Sequence, residues 1–122
     1  MKRRKAVKTN PRIRILSKKL EMVSKKQKAE IWKTIARALE GPAQNWAEVN
    51  IEKLDRLTKE KEVVVVPGKV LGSGSLTHSV EVYAFNSSAG AKKSIQSARG
   101  KIGTIEELIE KNPKGTGVRI IR

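Results

Sequence analysis

Hydrophobic residues near the N-terminus recur every three or four positions, which is the period of an amphipathic helix. The first series predicts a helix over residues 11–25, with Thr9 or Asn10 as its N-cap and Pro11 at its first position. A second series predicts another helix, which ends at Gly41-Pro42. Together they predict a helical hairpin. The periodic positions are Ile13, Leu16, Leu20 and Val23 in the first helix and Ile31, Ile35, Ala38 and Leu39 in the second.

The middle of the chain changes to strand-like patterns. Residues 62–66 include four consecutive valines, which predicts a strand buried on both faces that ends at Pro67-Gly68. Residues 80–85 alternate between two faces and predict a second strand. Residues 47–50 fit either a strand or a turn. Asn50 is then a suitable N-cap for a short helix carrying Ile51, Leu54 and Leu57.

The C-terminal third predicts shorter elements. Residues 89–99 indicate a weaker helix, punctuated by Gly100 and Gly103. Thr104 and Glu107 have the spacing of a capping box, which predicts a helix over residues 105–111, and residues 118–121 predict a closing strand. Helices followed by interleaved strands and helices indicate a mixed α/β or α+β fold. We expect a flexible basic tail over residues 1–8 and a single domain over residues 9–122.

Positive charge is concentrated at the start of the chain. The 122 residues include 27 Lys or Arg and 12 Asp or Glu, for a net charge of +15. Residues 1–28 contain 12 of these bases and one acid, which gives +11, whereas the remaining 15 bases and 11 acids give +4. Because like charges repel, this segment favours a partner that supplies anions, and nucleic-acid phosphates are the obvious supply.

Few residues suited to catalysis are present. The chain has no Cys, one His (His78) and one Asp (Asp55), so disulfides, thiolate zinc sites and Cys nucleophiles are excluded. We expect no enzyme activity, no metal site and no cofactor. The longest apolar run, residues 63–67, is too short to cross a membrane, and no signal peptide is recognisable, so we expect a cytoplasmic protein.

A glycine-rich segment, Gly72-Ser73-Gly74, follows the valine run. It fits neither a P-loop nor a dinucleotide-binding pattern, because residue 77 is Thr and Lys69 precedes the glycines. Two interpretations stay open. The segment is either a tight connection in which glycine adopts positive φ, or a place where the backbone approaches a sugar-phosphate chain while Lys69 supplies charge.

The four aromatic residues favour binding by charge and shape over base stacking. Tyr83 and Phe85 share one face of a predicted strand, where core packing is the more frequent explanation. Trp46 lies in a predicted loop, where it either stacks on RNA or covers the core.

The segment from Val63 to Gly74 (VVVVPGKVLGSG), followed by Leu76, resembles the core signature of the archaeal and eukaryotic large-subunit ribosomal protein eighteen-e family, a relative of bacterial large-subunit protein fifteen. Residues 8–12, residues 47–51 with 53–54, and residues 112–115 before 118–122 also resemble that family. The resemblance implies a structural ribosomal protein that binds large-subunit RNA. It further implies an α/β body of irregular strand-strand-helix turns and no catalytic residues.

We therefore expect a structural constituent of the large ribosomal subunit in the cytoplasm. Its expected partners are large-subunit ribosomal RNA and neighbouring ribosomal proteins, with no membrane and no small-molecule substrate. The alternatives are an RNA-processing or RNA-modifying enzyme and a sequence-tolerant DNA-coating protein. The residues expected to contact RNA are Lys2, Arg3, Arg4, Lys5, Lys8, Asn10, Arg12, Arg14, Lys18, Lys19, Trp46, Lys69, Gly72, Ser73 and Gly74.

Overall fold

Two amphipathic helices begin the computed structural model, which describes residues 11–42, 46–72 and 74–122. Helix α1 covers Pro11–Gln27 and helix α2 covers Glu30–Glu40, and their apolar faces pack together in one core. Lys28 turns the chain between them with a φ of 54°. The Ser24 hydroxyl donates to the Ala29 carbonyl over 2.9 Å, which stabilises this turn. The predicted helical hairpin is confirmed.

The rest of the described chain forms a parallel sheet with three further helices. Every strand pairing is parallel, in the order β1-β2-β3-β4, and β5 also pairs with β2. The predicted mixed α/β class is confirmed. The strands are β1 (Ala47–Asn50), β2 (Glu62–Leu71), β3 (Val80–Ser87), β4 (Lys101–Thr104) and β5 (Val118–Ile120), and the helices are α3 (Ile51–Leu57), α4 (Ala89–Ser97) and α5 (Ile105–Lys111).

Strand β2 is buried on both faces, as its run of valines predicts. Val65 faces a first core together with Tyr83 and Phe85, and this core is covered by α1, α2 and α5. Val64 and Val66 face a second core, which is covered by α3 and α4. Alternate side chains of one strand therefore supply two apolar layers, which is the pattern of a central strand in a parallel sheet.

The expectation that β2 ends at Pro67-Gly68 is wrong. The strand continues to Leu71, and its second half pairs with β1, with Ala47 opposite Gly68 and Asn50 opposite Leu71. Its register with β3 shifts between Val66 and Lys69. This irregularity lies at a proline, which cannot donate a ladder hydrogen bond, and the strand continues beyond it.

The short strand β4 is absent from the sequence-based prediction, which treats Gly100 and Gly103 only as breaks. Gly103 pairs with Tyr83 of β3. A Cβ at position 103 would lie 3.0 Å from Cε1 of the Tyr83 ring, so the missing side chain makes room for that ring. Glycine within a strand here marks a close approach between neighbours.

In the described residues between β2 and β3, which are Gly72 and residues 74–79, no helix joins these two adjacent parallel strands. Glu62 pairs with Val80, so the chain leaving β2 at Leu71 returns to the opposite end of the sheet before β3 begins. The nine residue steps from Glu62 to Leu71 along β2 span roughly 30 Å. The nine steps from Leu71 to Val80 reach at most about 32 Å. Gly72 and residues 74–79 therefore form a mostly extended strap rather than a tight connection.

Short helices begin at the predicted caps. The Asn50 side chain accepts from the Lys53 amide over 2.8 Å, which caps α3. Thr104 and Glu107 form both hydrogen bonds of the capping box at the start of α5. In the described residues no helix has the length and apolar character needed to cross a membrane. The division into a tail and one domain stays a prediction.

Candidate nucleic-acid interface

The carboxyl ends of β2 and β3 bring the glycine-rich segment against the start of α4. The Gly72 amide donates to the Ser88 hydroxyl over 2.9 Å, and the same oxygen accepts from the Ala91 amide over 3.1 Å. Ser88 is the N-cap of α4, so one hydroxyl both caps the helix and holds the end of β2.

Gly72 is required by packing within the protein. A Cβ at this position would lie 2.3 Å from the Ala91 nitrogen and 2.4 Å from the Gly90 carbonyl carbon, distances that no real side chain tolerates. Gly74 has a φ of +91°, in the left-handed region that favours glycine. Ser73 lies outside the described residues. The small size of Gly72 is thus used by the approach of α4, and its predicted contact with RNA stays a prediction.

Three lysines surround this junction. Lys69 lies opposite Glu48 of β1 and Asn86 of β3 in the strand register, and Lys92 and Lys93 lie on α4. All three side chains are exposed, and none forms an ion pair with a described residue. We call Lys69, Gly72, Gly90, Lys92 and Lys93 the edge surface.

Two other cations of the described body are neutralised by ion pairs. Lys111 lies 2.7 Å from Glu81, and Arg119 lies 3.2 Å from Glu62. Burial tends to raise the pKa of Glu81, but the hydrogen bonds from Lys111 and Tyr83 together lower it. Because these bases serve pairs within the fold, they contrast with the unpaired lysines of the edge surface.

Arg12, a predicted RNA contact, is engaged inside the protein. Its Nε and Nη2 donate to the two carboxylate oxygens of Glu106 over 2.7 and 3.0 Å, and its Nη1 donates to Asn86 Oδ1 over 3.2 Å. Its guanidinium carbon lies 3.9 Å from the centre of the Phe85 ring. These hydrogen bonds lower the pKa of Glu106. Arg12 therefore has a structural role, and any contact with RNA would add to it.

The remaining predicted cations of α1 lead away from the edge surface. Arg14 and Lys18 are exposed on the helix, and Lys19 Nζ lies 3.5 Å from Glu110 Oε1. A helix of 17 residues is about 25 Å long, so these side chains form a second basic surface along α1. Lys2, Arg3, Arg4, Lys5, Lys8 and Asn10 lie outside the described residues.

Trp46 covers the first core, one of the two roles left open for it. Its ring meets the Phe85 ring edge-on, with centroids 5.0 Å apart and an interplanar angle of 70°. Its Nε1 is buried and lacks a hydrogen-bond partner among the described residues. Tyr83 and Phe85 are themselves buried in the core, which agrees with the packing interpretation of that strand face.

The only His and the only Asp of the chain meet at the strap. Asp55 accepts from the Thr77 amide and hydroxyl over 2.8 and 2.7 Å, and lies 3.5 Å from His78 Nδ1. His78 Nε2 lies 2.8 Å from the Thr58 hydroxyl, which is buried and donates to the Leu54 carbonyl. Since that hydroxyl is committed to a backbone acceptor, the cluster anchors the strap to α3 and offers no activated nucleophile.

Residues 1–122 match the protein family described as Ribosomal protein 60S L18 and 50S L18e. The chain belongs to this ribosomal protein family. It is 49% identical over 115 residues to the large ribosomal subunit protein eL18 of Methanoregula boonei, covering 94% of this chain and 95% of that protein. Identity to the eL18 of Methanococcus maripaludis is 47% over 118 residues, with 97% and 98% covered. Identity to the eL18 of Halobacterium salinarum is 44% over 115 residues, which cover 94% of this chain and 98% of that protein.

The sequence-based prediction for this L18e-family chain misses two residues of the edge surface. Lys92 and Lys93 lie in a segment predicted only as a weak helix. The signal that would find them is the run from Ser87 to Lys93 (SSAGAKK), in which small residues precede adjacent lysines at a helix start. Across the described ranges, no group of three or more His, Asp or Glu side chains could hold a metal ion.

Proposed function

We propose that this L18e-family chain is a structural constituent of the large ribosomal subunit that binds large-subunit ribosomal RNA. The match over residues 1–122 and the relatives named as large ribosomal subunit proteins support this assignment. The family is one of ribosomal proteins, and we propose no catalytic step for this chain. Its place would be in the large subunit in the cytoplasm, beside other ribosomal proteins.

The observation that carries the RNA-binding proposal is the set of unpaired lysines on the edge surface. Lys69, Lys92 and Lys93 are exposed beside Gly72 and Gly90, which are exposed as well. Phosphates neutralise such cations and release counterions, which supplies sequence-independent affinity. The edge surface is therefore suited to hold an RNA backbone.

A second part of the proposal concerns α1 and the residues before it. Arg14 and Lys18 are exposed, and the sequence places five more bases within residues 1–8. We propose that this basic segment contacts phosphates while the body docks on folded RNA. Contacts of this kind position a protein without reading bases.

Co-sedimentation with large subunits after a moderate salt wash tests the assignment directly. The full-length protein should remain with the large subunit and show higher affinity for large-subunit RNA than for duplex DNA. Turnover of an RNA substrate would instead favour a processing or modifying enzyme. Tighter binding to duplex DNA would favour a DNA-coating protein, and failure to co-sediment would overturn the proposal.

Charge removal tests the edge surface separately. The double variant Lys92→Gln/Lys93→Gln should flatten the plot of log affinity against log salt by about 1.4 to 1.8 units, because two phosphate contacts are lost. The matched control, Lys33→Gln/Lys114→Gln, removes the same charge from exposed positions elsewhere. Equal slopes for the two double variants would show that only net charge matters and that the edge surface is not the RNA contact.

A further inference from the structure

All four aromatic side chains of the chain serve its own core. Trp32, Tyr83 and Phe85 are at most 2% exposed, and Trp46 meets Phe85 edge-on. The four lie within the described ranges, and the sequence holds no other aromatic residue. Proteins that bind single-stranded RNA stack unpaired bases on exposed aromatic rings. This chain presents no such platform.

One face of α4 carries hydroxyl groups beside a lysine. Gly90, Lys93, Ser94 and Ser97 follow the helical spacing of three and four, and they line a depression of about 430 Å³ together with Gly72. The hydroxyls of Ser94 and Ser97 have no hydrogen-bond partner within the described part of the chain. Both hydroxyls can donate to or accept from a ligand.

Two adjacent lysines lie on this helix beside the hydroxyls. Lys93 lines the depression beside Gly72, whereas Lys92 lines a second depression of about 500 Å³ that also includes Asn86. Adjacent helical residues point about 100° apart, so Lys93 lies next to the hydroxyls and Lys92 lies beyond it around the helix. The second depression also holds Glu106, whose charge Arg12 already neutralises. The hydroxyl face is thus bordered by cations on one side.

We infer that the edge surface binds double-helical RNA, with α4 along the minor groove. Ser94 and Ser97 contact ribose 2′-hydroxyls, and Lys92 and Lys93 contact phosphates along one border of the groove. The A-form minor groove is wide and shallow and displays 2′-hydroxyls, so hydroxyl side chains bordered by lysines match its chemistry without unstacked bases. This inference rests on the proposed RNA binding and specifies the form of RNA at this surface.

Three probes test the inference with the full-length protein. They are an RNA duplex of about 20 base pairs, the DNA duplex of the same sequence, and an oligo-uridine strand of equal length. Affinities are compared at one salt concentration, so that nonspecific charge effects are matched. The RNA duplex should bind about tenfold more tightly than the DNA duplex, the combined effect of two or more 2′-hydroxyl contacts. It should also bind more tightly than oligo-uridine.

Variants separate hydroxyl recognition from charge. Ser94→Ala/Ser97→Ala should lower the ratio of RNA-duplex to DNA-duplex affinity by about three- to tenfold, with folding checked by circular dichroism. Lys93→Gln should weaken both duplexes equally and leave the ratio unchanged. Thr34→Ala removes an exposed helical hydroxyl from α2, on the opposite face of the sheet, and should leave the ratio at the parental value.

Failure of this inference is distinguishable from failure of the proposed function. If the protein binds large-subunit RNA but prefers oligo-uridine, or binds both duplexes equally, the double-helix inference is overturned and the proposed function stands. An unchanged ratio in Ser94→Ala/Ser97→Ala overturns it as well. If large-subunit RNA does not bind at all, the proposed function fails and this inference fails with it.

Discussion

Arg12 and Glu106 are paired by two hydrogen bonds across 94 residues of sequence. Arg12 begins α1 and Glu106 lies in the first turn of α5, so this pair ties the helical hairpin to the sheet layer. The Arg12 guanidinium also covers the Phe85 ring at 3.9 Å. A basic residue of a highly charged segment therefore helps to hold the fold together.

Replacing Arg12 should cost stability. Arg12→Ala removes a two-point ion pair that is about one-third exposed, together with a ring contact, and should lower the free energy of unfolding by about 1 to 2 kcal/mol. Urea unfolding at neutral pH measures this change. Arg14→Ala, on the exposed side of the same helix, should stay within about 0.5 kcal/mol of the parent. Equal effects of the two substitutions would contradict the structural role of Arg12.

The pair of Arg12 and Glu106 also predicts how the stability of the fold depends on pH. The hydrogen bonds from Arg12 lower the pKa of Glu106 despite its partial burial. A carboxyl whose pKa is lower in the folded state stabilises the fold fully at any pH above its pKa in the unfolded state. This stabilisation is lost as the pH falls through its pKa in the folded state. The parent should therefore lose more stability than Arg12→Ala between about pH 5 and pH 3. Denaturation midpoints across that range measure the difference, and parallel curves would contradict it.

The close approach of Gly72 to α4 predicts a strong effect of one methyl group. Gly72→Ala places a Cβ against the backbone of Gly90 and Ala91, which cannot move without shifting α4, so we expect a loss of about 2 to 3 kcal/mol. Gly41→Ala is the matched control, because no atom of the described residues lies within 4 Å of the place that its methyl group would occupy. Thermal unfolding compares them. A Gly72→Ala protein as stable as the parent would show that the junction is loosely packed.

The strap depends on Asp55. Its carboxylate accepts the Thr77 amide and hydroxyl, and the backbone hydrogen bond from Thr77 is the main cause of its lowered pKa. Asp55→Ala should speed amide hydrogen exchange in residues 74–79, whereas Asp55→Asn keeps an acceptor oxygen and should have a smaller effect. The parent should lose this protection on acidification below the usual Asp range. Peptide-resolved exchange measures it, and unchanged exchange in Asp55→Ala would refute the anchoring role.

Deleting residues 1–8 should change the salt dependence of RNA affinity more than it changes the preference for one RNA over another. This segment carries five bases, and if about half of them contact phosphates, the slope of log affinity against log salt flattens by about two units. The preference for large-subunit RNA over an unrelated folded RNA should change little, because phosphate contacts do not read bases. Titrations at several salt concentrations with both RNAs measure both quantities. An unchanged slope would assign the charge effect to the segment from Pro11 onward.

Local patterns in the sequence determine most elements of this protein. The helical hairpin follows from apolar spacing, and Asn50 and Thr104 mark helix starts because their side chains accept amides only three residues away. Four consecutive valines indicate a strand buried on both faces. Interactions of this kind span a few residues, so the sequence contains both partners within one short window.

Tertiary structure decides what depends on distant partners. Pro67-Gly68 continues a strand because β1 pairs with it, and Gly72 is required because α4 packs against it. Arg12 is turned toward the protein because Glu106 and Phe85 reach it from elsewhere in the chain. Lys92 and Lys93 join Lys69 only because parallel strands end at one edge of the sheet. Such partners cannot be identified from local sequence, because each contact forms only when segments far apart in the chain pack together.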